Sequence, residues 1–123
     1  LMDKVYEEQD IQIWGQAWSL TTDPDSYDVF HSSQAVAPGN NAGQFINKKN
    51  DELLEKGRKT LDQEERKQIY EEWGLLINDE LPYIFIYQRE TWNMVNERIK
   101  GFDCSPYVTW SYPQIYLNLE INQ

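Results

Sequence analysis

The chain has 123 residues, a length that suits one domain built on one core. Its 21 acidic residues outnumber 11 basic ones, giving a net charge of −10 and none of the cationic excess from which phosphate-backbone binding draws its affinity, so no nucleic-acid partner is expected. Mean hydropathy is −0.76 and no apolar run approaches the roughly 18–20 residues a bilayer-spanning helix needs, so this stretch crosses no membrane as a helix.

Leu1 to Glu8 reads as the end of a helix, with Met2, Val5 and Tyr6 at helical spacing. Because that helix is already under way at Leu1, the chain is expected to be an excised piece whose N-terminal portion, with any export signal, lies elsewhere. Ile11, Ile13, Trp14, Ala17 and Trp18 predict a strand buried on both faces, since β-branched and aromatic residues dominate without clean alternation. A polar corner follows from Ser19 to Thr22. Asp23 then has the chemistry of a helix N-cap and Pro24 suits the first helical position. The short helix they open carries Tyr27, Phe30 and His31 on one face.

Residues 34–49 form a loop rich in turn formers, Ala-Pro-Gly-Asn-Asn-Ala-Gly among them. Asn50 or Asp51 is expected to cap the next helix, which carries Leu53, Leu54 and Leu61. Gly57 inside it costs about 1 kcal/mol against alanine and implies close packing or an early end. Asp62 to Glu65 matches a capping box, and Ile69, Tyr70, Trp73, Leu76 and Ile77 mark the buried stripe of the helix that follows. Pro82 to Tyr87 and Thr91 to Val95 predict two strands, Lys100-Gly101 a break, 102–114 an irregular aromatic loop, and Tyr116 to Ile121 a closing strand.

Motifs for chemistry are sparse. Cys104 is the single cysteine, so neither an internal disulfide nor a thiolate metal cage can form. His31 is the single histidine and has no metal-spaced partner, which favours a satisfied, partly buried ring. Asp23, Asp25 and Asp28 lack the spacing and the glycine of a calcium loop. No nucleophile elbow, P-loop or dinucleotide fingerprint occurs.

Several pieces in order resemble one family. They are Ala17-Trp18-Ser19-Leu20, Thr22-Asp23-Pro24-Asp25, Phe30-His31-Ser32-Ser33-Gln34, Asn50-Asp51-Glu52-Leu53-Leu54, Leu61 through Tyr70, Glu80-Leu81-Pro82-Tyr83 and Arg98-Ile99-Lys100-Gly101. This set is similar to the C-terminal part of bacterial extracellular solute-binding proteins of the oligopeptide/dipeptide class, solute-binding protein family 5, which feed ABC importers. The resemblance implies an α/β fold: part of one lobe of a two-lobed periplasmic-binding-protein type II structure, with 1–123 as a single domain of the C-terminal lobe. It further implies capture of an oligopeptide by lobe closure, delivery to permease subunits, and a partner lobe from the missing N-terminal part. Neither a cofactor nor catalysis follows from it. The location implied is extracellular or periplasmic, with a lipid anchor on the absent N-terminus.

Within that frame the ligand-binding residues are Trp18, Ser19, Leu20 and Thr21, with Asp23 and Asn41 as further candidates. Backbone groups and hydroxyls at the corner suit a ligand gripped by its own backbone. Many members of the family carry an aspartate three residues after the tryptophan, where it pairs with the peptide's amino group; here that position is Thr21. Trp18 on its own residue chemistry either lines a cleft or packs in a core. Two other functions stay open at this level. An aromatic-lined carbohydrate binder would use Phe102, Tyr107, Trp110 and Tyr112, and a hydrolase fragment would need a facing carboxylate pair.

Overall fold

The computed structural model describes residues 1–18, 23–88, 90, 92, 94–102 and 117–121. It divides into two compact units, Leu1–Phe85 and Ile86–Gln123. Helices dominate, with one small antiparallel strand pair among the described residues, a content compatible with the α/β class.

The first unit opens on a wide π-type helical turn, Asp3–Glu7, which buries Val5. Gln9 takes a left-handed backbone at φ 52° and ends it, while its side-chain amide donates to the Ala35 carbonyl at 2.9 Å. Residues 11–18 do not form the expected strand, and Ile13 stands exposed. The same holds for 82–87, where Ile84, Phe85, Ile86 and Tyr87 are exposed, and for the described residues of 91–95. Side-chain preference makes these stretches extended, but only a paired neighbour makes a strand. The described residues supply them no such neighbour.

The helix expected at Asp23 starts later. Asp23 Oδ1 accepts from the Asp25 N–H at 2.8 Å, and Asp25 Oδ1 accepts from the Tyr27 N–H at 3.1 Å. Two successive Asx turns therefore precede helix α1, Tyr27–Phe30. Each aspartate satisfies the amide two residues ahead, so neither caps the helix as a conventional N-cap does. A 3-10 turn follows over Ser32–Gln34, capped by the His31 ring accepting from the Ser33 N–H at 3.1 Å.

Helix α2, Lys48–Lys59, is capped by Asn47, whose side-chain oxygen accepts from the Asn50 N–H at 3.1 Å. The cap lies three residues before the expected one because Asn50 is spent elsewhere. Asn50 is fully buried, its amide donates to the Phe30 carbonyl at 2.8 Å and to Asp51 Oδ1 at 3.0 Å, and its oxygen accepts from Trp73 Nε1 at 2.9 Å. Helix α3, Gln63–Glu80, begins as the capping box predicts, Asp62 Oδ1 accepting from the Glu65 N–H at 2.8 Å, and ends at Leu81 in a left-handed conformation, φ 46°.

Helices α2 and α3 form an antiparallel hairpin. The ion pairs Lys56–Glu65, beside the connection, and Lys49–Glu72, farther out, fix that sense. Gly57 is buried at their contact, where an added Cβ would stand 2.8 Å from Tyr70 Cζ. Close packing is thus the reason for this glycine. Phe30, Leu54 and Ile77 form the core, with Tyr27, Val29, Phe45, Tyr70, Trp73 and Tyr83 packed around it. Leu61, grouped with the α2 leucines by sequence, lies outside the helix and is exposed.

In the second unit, β1, Ile99–Lys100, pairs antiparallel with β2, Glu120–Ile121, placing Ile99 opposite Ile121. Gly101 makes the expected break, with φ 75° and no room for a side chain against the Asn118 carbonyl. The closing strand is realised only at β2, and most of the expected aromatic loop lies outside the described residues.

Replacing Asn50 by leucine removes the partner of the Trp73 indole N–H and the close partner of the Phe30 carbonyl, which keeps only the long approach of the Asn41 amide at 3.5 Å. Losing these two buried hydrogen bonds costs about 2–4 kcal/mol. Urea unfolding should show that loss for Asn50→Leu, and a change within about 0.5 kcal/mol for Leu61→Ser at an exposed position.

Candidate functional site

Trp18 is 37% exposed, so it neither closes into the core nor stands free. Its ring meets Tyr83 edge-on, with centroids 5.1 Å apart and planes at 75°. Tyr83 in turn meets Phe30 at 5.4 Å and 88°, and Phe30 meets Trp73 at 5.3 Å and 80°. Each contact has the edge-to-face form that ring quadrupoles favour. A row of four aromatics therefore runs from the core outward and presents Trp18 at its surface end.

Tyr83 is the link that sequence reasoning missed, because Pro82 to Tyr87 reads as a strand and a strand residue suggests no tether. Its hydroxyl accepts from the Gly43 N–H at 3.0 Å. A Cβ on Gly43 would stand 3.1 Å from the Tyr83 ring, so the glycine allows the loop to close on it. Burial pushes the Tyr83 phenol up from its ordinary value, and the Gly43 N–H draws it partly back.

Of the sequence candidates, Ser19, Leu20 and Thr21 lie outside the described residues. Asp23, on the far side of them, is half-exposed and accepts from Arg66 Nη2 at 2.7 Å. The Arg66 hydrogen bond, with the Asp25 N–H, holds the Asp23 carboxyl below the usual carboxylate range. Asn41 is fully buried. Its amide donates to the Phe45 carbonyl at 2.7 Å and the His31 carbonyl at 3.2 Å, with a long third approach to Phe30 O at 3.5 Å, and its oxygen accepts from the Phe45 N–H at 3.1 Å. Its hydrogen-bonding capacity is spent holding the loop together.

His31 is buried and stacks on Tyr27 at 3.9 Å. Nδ1 accepts from the Ser33 N–H, so in the neutral ring Nε2 carries the hydrogen; it faces Asp51 at 3.9 Å and Glu55 at 3.7 Å. Asp25 and Asp28 both face Arg58, at 2.7 Å and 3.7 Å. These carboxylates sit in ion pairs instead of facing one another across a pocket. Among the described residues no group of three His, Cys, Asp or Glu side chains is spaced to hold a metal ion, and no helix is long and apolar enough to cross a membrane. Two open grooves, of about 500 and 460 Å³, run along α3, one beside Lys49 of α2 and lined by Leu75, Leu76 and Glu72, the other beside Pro24 and lined by Arg66, Lys67 and Tyr70; Trp18 lines neither.

The chain is similar to the oligopeptide-binding protein AppA of Bacillus subtilis (strain 168), at 33% identity over 89 residues. Those residues are 72% of this chain and 16% of that protein, so the chain spans about a sixth of its relative's length. No family model matches the chain, and no solved structure matches it.

The Tyr83 tether has a pH signature. A phenol whose folded value is raised adds stability that is present below the free value of about 10 and is lost as pH rises through the folded one. Tyr83→Phe should lose about 0.5–1 kcal/mol at neutral pH with the Gly43 hydrogen bond. Its urea midpoint should then fall less steeply than that of the wild type above about pH 10.

Proposed function

We propose that this chain is part of the C-terminal lobe of a solute-binding protein of the oligopeptide class, family 5, with the two-lobed periplasmic-binding-protein type II fold. The protein captures oligopeptides outside the cytoplasmic membrane, in the extracellular or periplasmic space, and passes them to the permease subunits of an ABC importer. It binds and releases without making or breaking a bond. The observation that carries this reading is the similarity to an oligopeptide-binding protein over most of the chain, combined with a tryptophan held half-exposed at the end of a braced aromatic row.

The physical logic suits varied peptides. Trp18 gives a flat apolar wall that accepts many side chains, and Ser19, Leu20 and Thr21 offer hydroxyl and backbone groups to the peptide backbone. Thr21 bears no charge, so the peptide's amino group finds no carboxylate at that position. A lipid anchor beyond this chain would hold the protein at the membrane. Closure of the two lobes follows the ligand only through contacts made in the closed state.

Calorimetry on the full-length protein that carries this chain tests the reading. A mixture of short peptides should give saturable heat, and Trp18→Ala should weaken that binding about tenfold, as loss of an aromatic anchor does. Heat from an oligosaccharide with none from peptides would assign the protein to a different solute.

A further inference from the structure

The His31 ring is 7% exposed, and its two nitrogens are placed differently. Nδ1 caps the 3-10 turn over Ser32–Gln34, accepting from the Ser33 N–H at 3.1 Å, and the Ser33 hydroxyl stands 2.8 Å from the same nitrogen. Nε2 is buried and makes no hydrogen bond among the described residues. The carboxylates of Asp51 and Glu55 on α2 face it at 3.9 and 3.7 Å, beyond the reach of about 3.2 Å that an N–H donor has. Asp51 Oδ1 already accepts from the Ser32 N–H and the Asn50 amide, both at 3.0 Å, and Glu55 Oε2 from Lys59 Nζ at 3.0 Å. A buried imidazole N–H is thus held beside negative charge without a partner.

A second proton on the ring changes what each nitrogen can do. Nδ1 accepts only while its lone pair is free, and once protonated it donates. It then meets the Ser33 N–H donor to donor, and the cap is lost. The bond at Nδ1 passes to Ser33 Oγ, which becomes its acceptor. The added charge draws Nε2–H toward Asp51 and Glu55. On the α1 side, Tyr27 stacks on the imidazole at 3.9 Å, and its hydroxyl lies 3.3 Å from Ser33 Oγ. Arg58 stands 3.9 Å over that same Tyr27 ring and opposes the new charge, but its own is matched by Asp25 and Asp28. Lys59 opposes it only from behind Glu55. Two carboxylates therefore face the ring directly, and each cation stands behind a partner.

We propose that His31 is a proton-operated cap. The neutral ring holds the turn over Ser32–Gln34; the charged ring releases the Ser33 N–H and takes the Ser33 hydroxyl and the α2 carboxylates instead. The turn's other bonds give the device its reach. The Gln34 carbonyl accepts from the Asn41 N–H at 3.0 Å, and the Ala35 carbonyl from the Gln9 side-chain amide at 2.9 Å. Acid therefore loosens the joint between the turn and the loop that carries Asn41. Histidine is the side chain whose ordinary chemistry places such a change between pH 5 and 8.

NMR on the full-length protein that carries this chain, from about pH 8 to about pH 5, tests the cap. Ring nitrogen shifts, assigned through the His31 backbone, report the tautomer and the second proton. Amide protection factors, which remove the intrinsic pH dependence of exchange, report the turn. At the alkaline end the ring should carry its hydrogen on Nε2. As it takes up the second proton, Ser33 amide protection should fall about fivefold, the worth of one hydrogen bond. The Asn41 amide should follow over the same range while amides of α3 keep their protection. His31→Asn supplies an oxygen that accepts from a turn N–H and does not titrate, so its Ser33 protection should stay level. Glu55→Gln removes one facing carboxylate, and the fall should then need a lower pH. Four results in the wild type overturn the proposal: hydrogen on Nδ1 of the neutral ring, a ring that stays neutral to the acid end, Ser33 or Asn41 protection that ignores the ring's titration, or an equal loss throughout α3. The same fall in His31→Asn, or an unmoved one in Glu55→Gln, overturns it as well.

Discussion

The carbonyl groups of Phe30 and His31 must be satisfied where no water reaches them, and the first unit is arranged around that requirement. Helix α1 is only four residues long, so the Phe30 carbonyl finds no partner further along a helix, while the His31 carbonyl just beyond it accepts from the Gln34 N–H of the 3-10 turn at 2.9 Å. Two fully buried asparagines complete the set: Asn50 takes the Phe30 carbonyl at 2.8 Å, and Asn41 adds a second donor to the His31 carbonyl at 3.2 Å. Each asparagine arrives from a different place, one from the first turns of α2 and one from the preceding loop. Each is also held by a third element, Trp73 of α3 for Asn50 and the Phe45 backbone for Asn41. A buried amide with all its groups paired is specific in a way an apolar contact is not, because any shift leaves a donor or acceptor unmade.

That network places Phe30, and Phe30 places the aromatic row. Trp73 on one side and Tyr83 on the other meet its ring edge-on, and Trp18 stands on Tyr83. The ion pairs lie outside this construction. Lys48–Glu52, Lys59–Glu55 and Lys67–Glu71 decorate exposed helix faces and add little stability each. The Arg66 pair differs because its arginine is three-quarters buried and bound at a carbonyl as well. Stability thus resides chiefly in the core and the asparagines.

The helical hairpin was legible because its signals are local. The Asp62–Glu65 capping box, the Ile69–Trp73–Ile77 stripe and a glycine at the packed crossing of α2 all depend on residues within a few turns of one another. The strands expected within 11–18, 82–87 and 91–95, which their described residues do not form, depend on partners distant in sequence, which no side-chain preference can provide. The two misplaced caps share a different cause. Asp23, Asp25 and Asn50 are all good cap residues, and sequence cannot tell whether such a side chain will serve its own helix, a turn, or a buried carbonyl elsewhere. At the candidate site, the residue chemistry of Trp18 left cleft and core both open, and its partial exposure against Tyr83 lies between the two. Tyr83 was not legible, because its role depends on a hydroxyl meeting Gly43, forty residues earlier in the chain. Asn41, a further ligand candidate within the family frame, spends its side-chain groups on the surrounding backbone.

The buried amide network is open to direct measurement by NMR hydrogen exchange of side chains. The account requires the Asn41 and Asn50 side-chain amides and the Trp73 indole N–H to exchange as slowly as the best-protected backbone amides of α2 and α3. Side-chain amides at Asn41 and Asn50 exchanging as fast as those of exposed asparagines would contradict it. The Phe30 carbonyl would then be held by something other than Asn50, and the His31 carbonyl by the Gln34 N–H without Asn41.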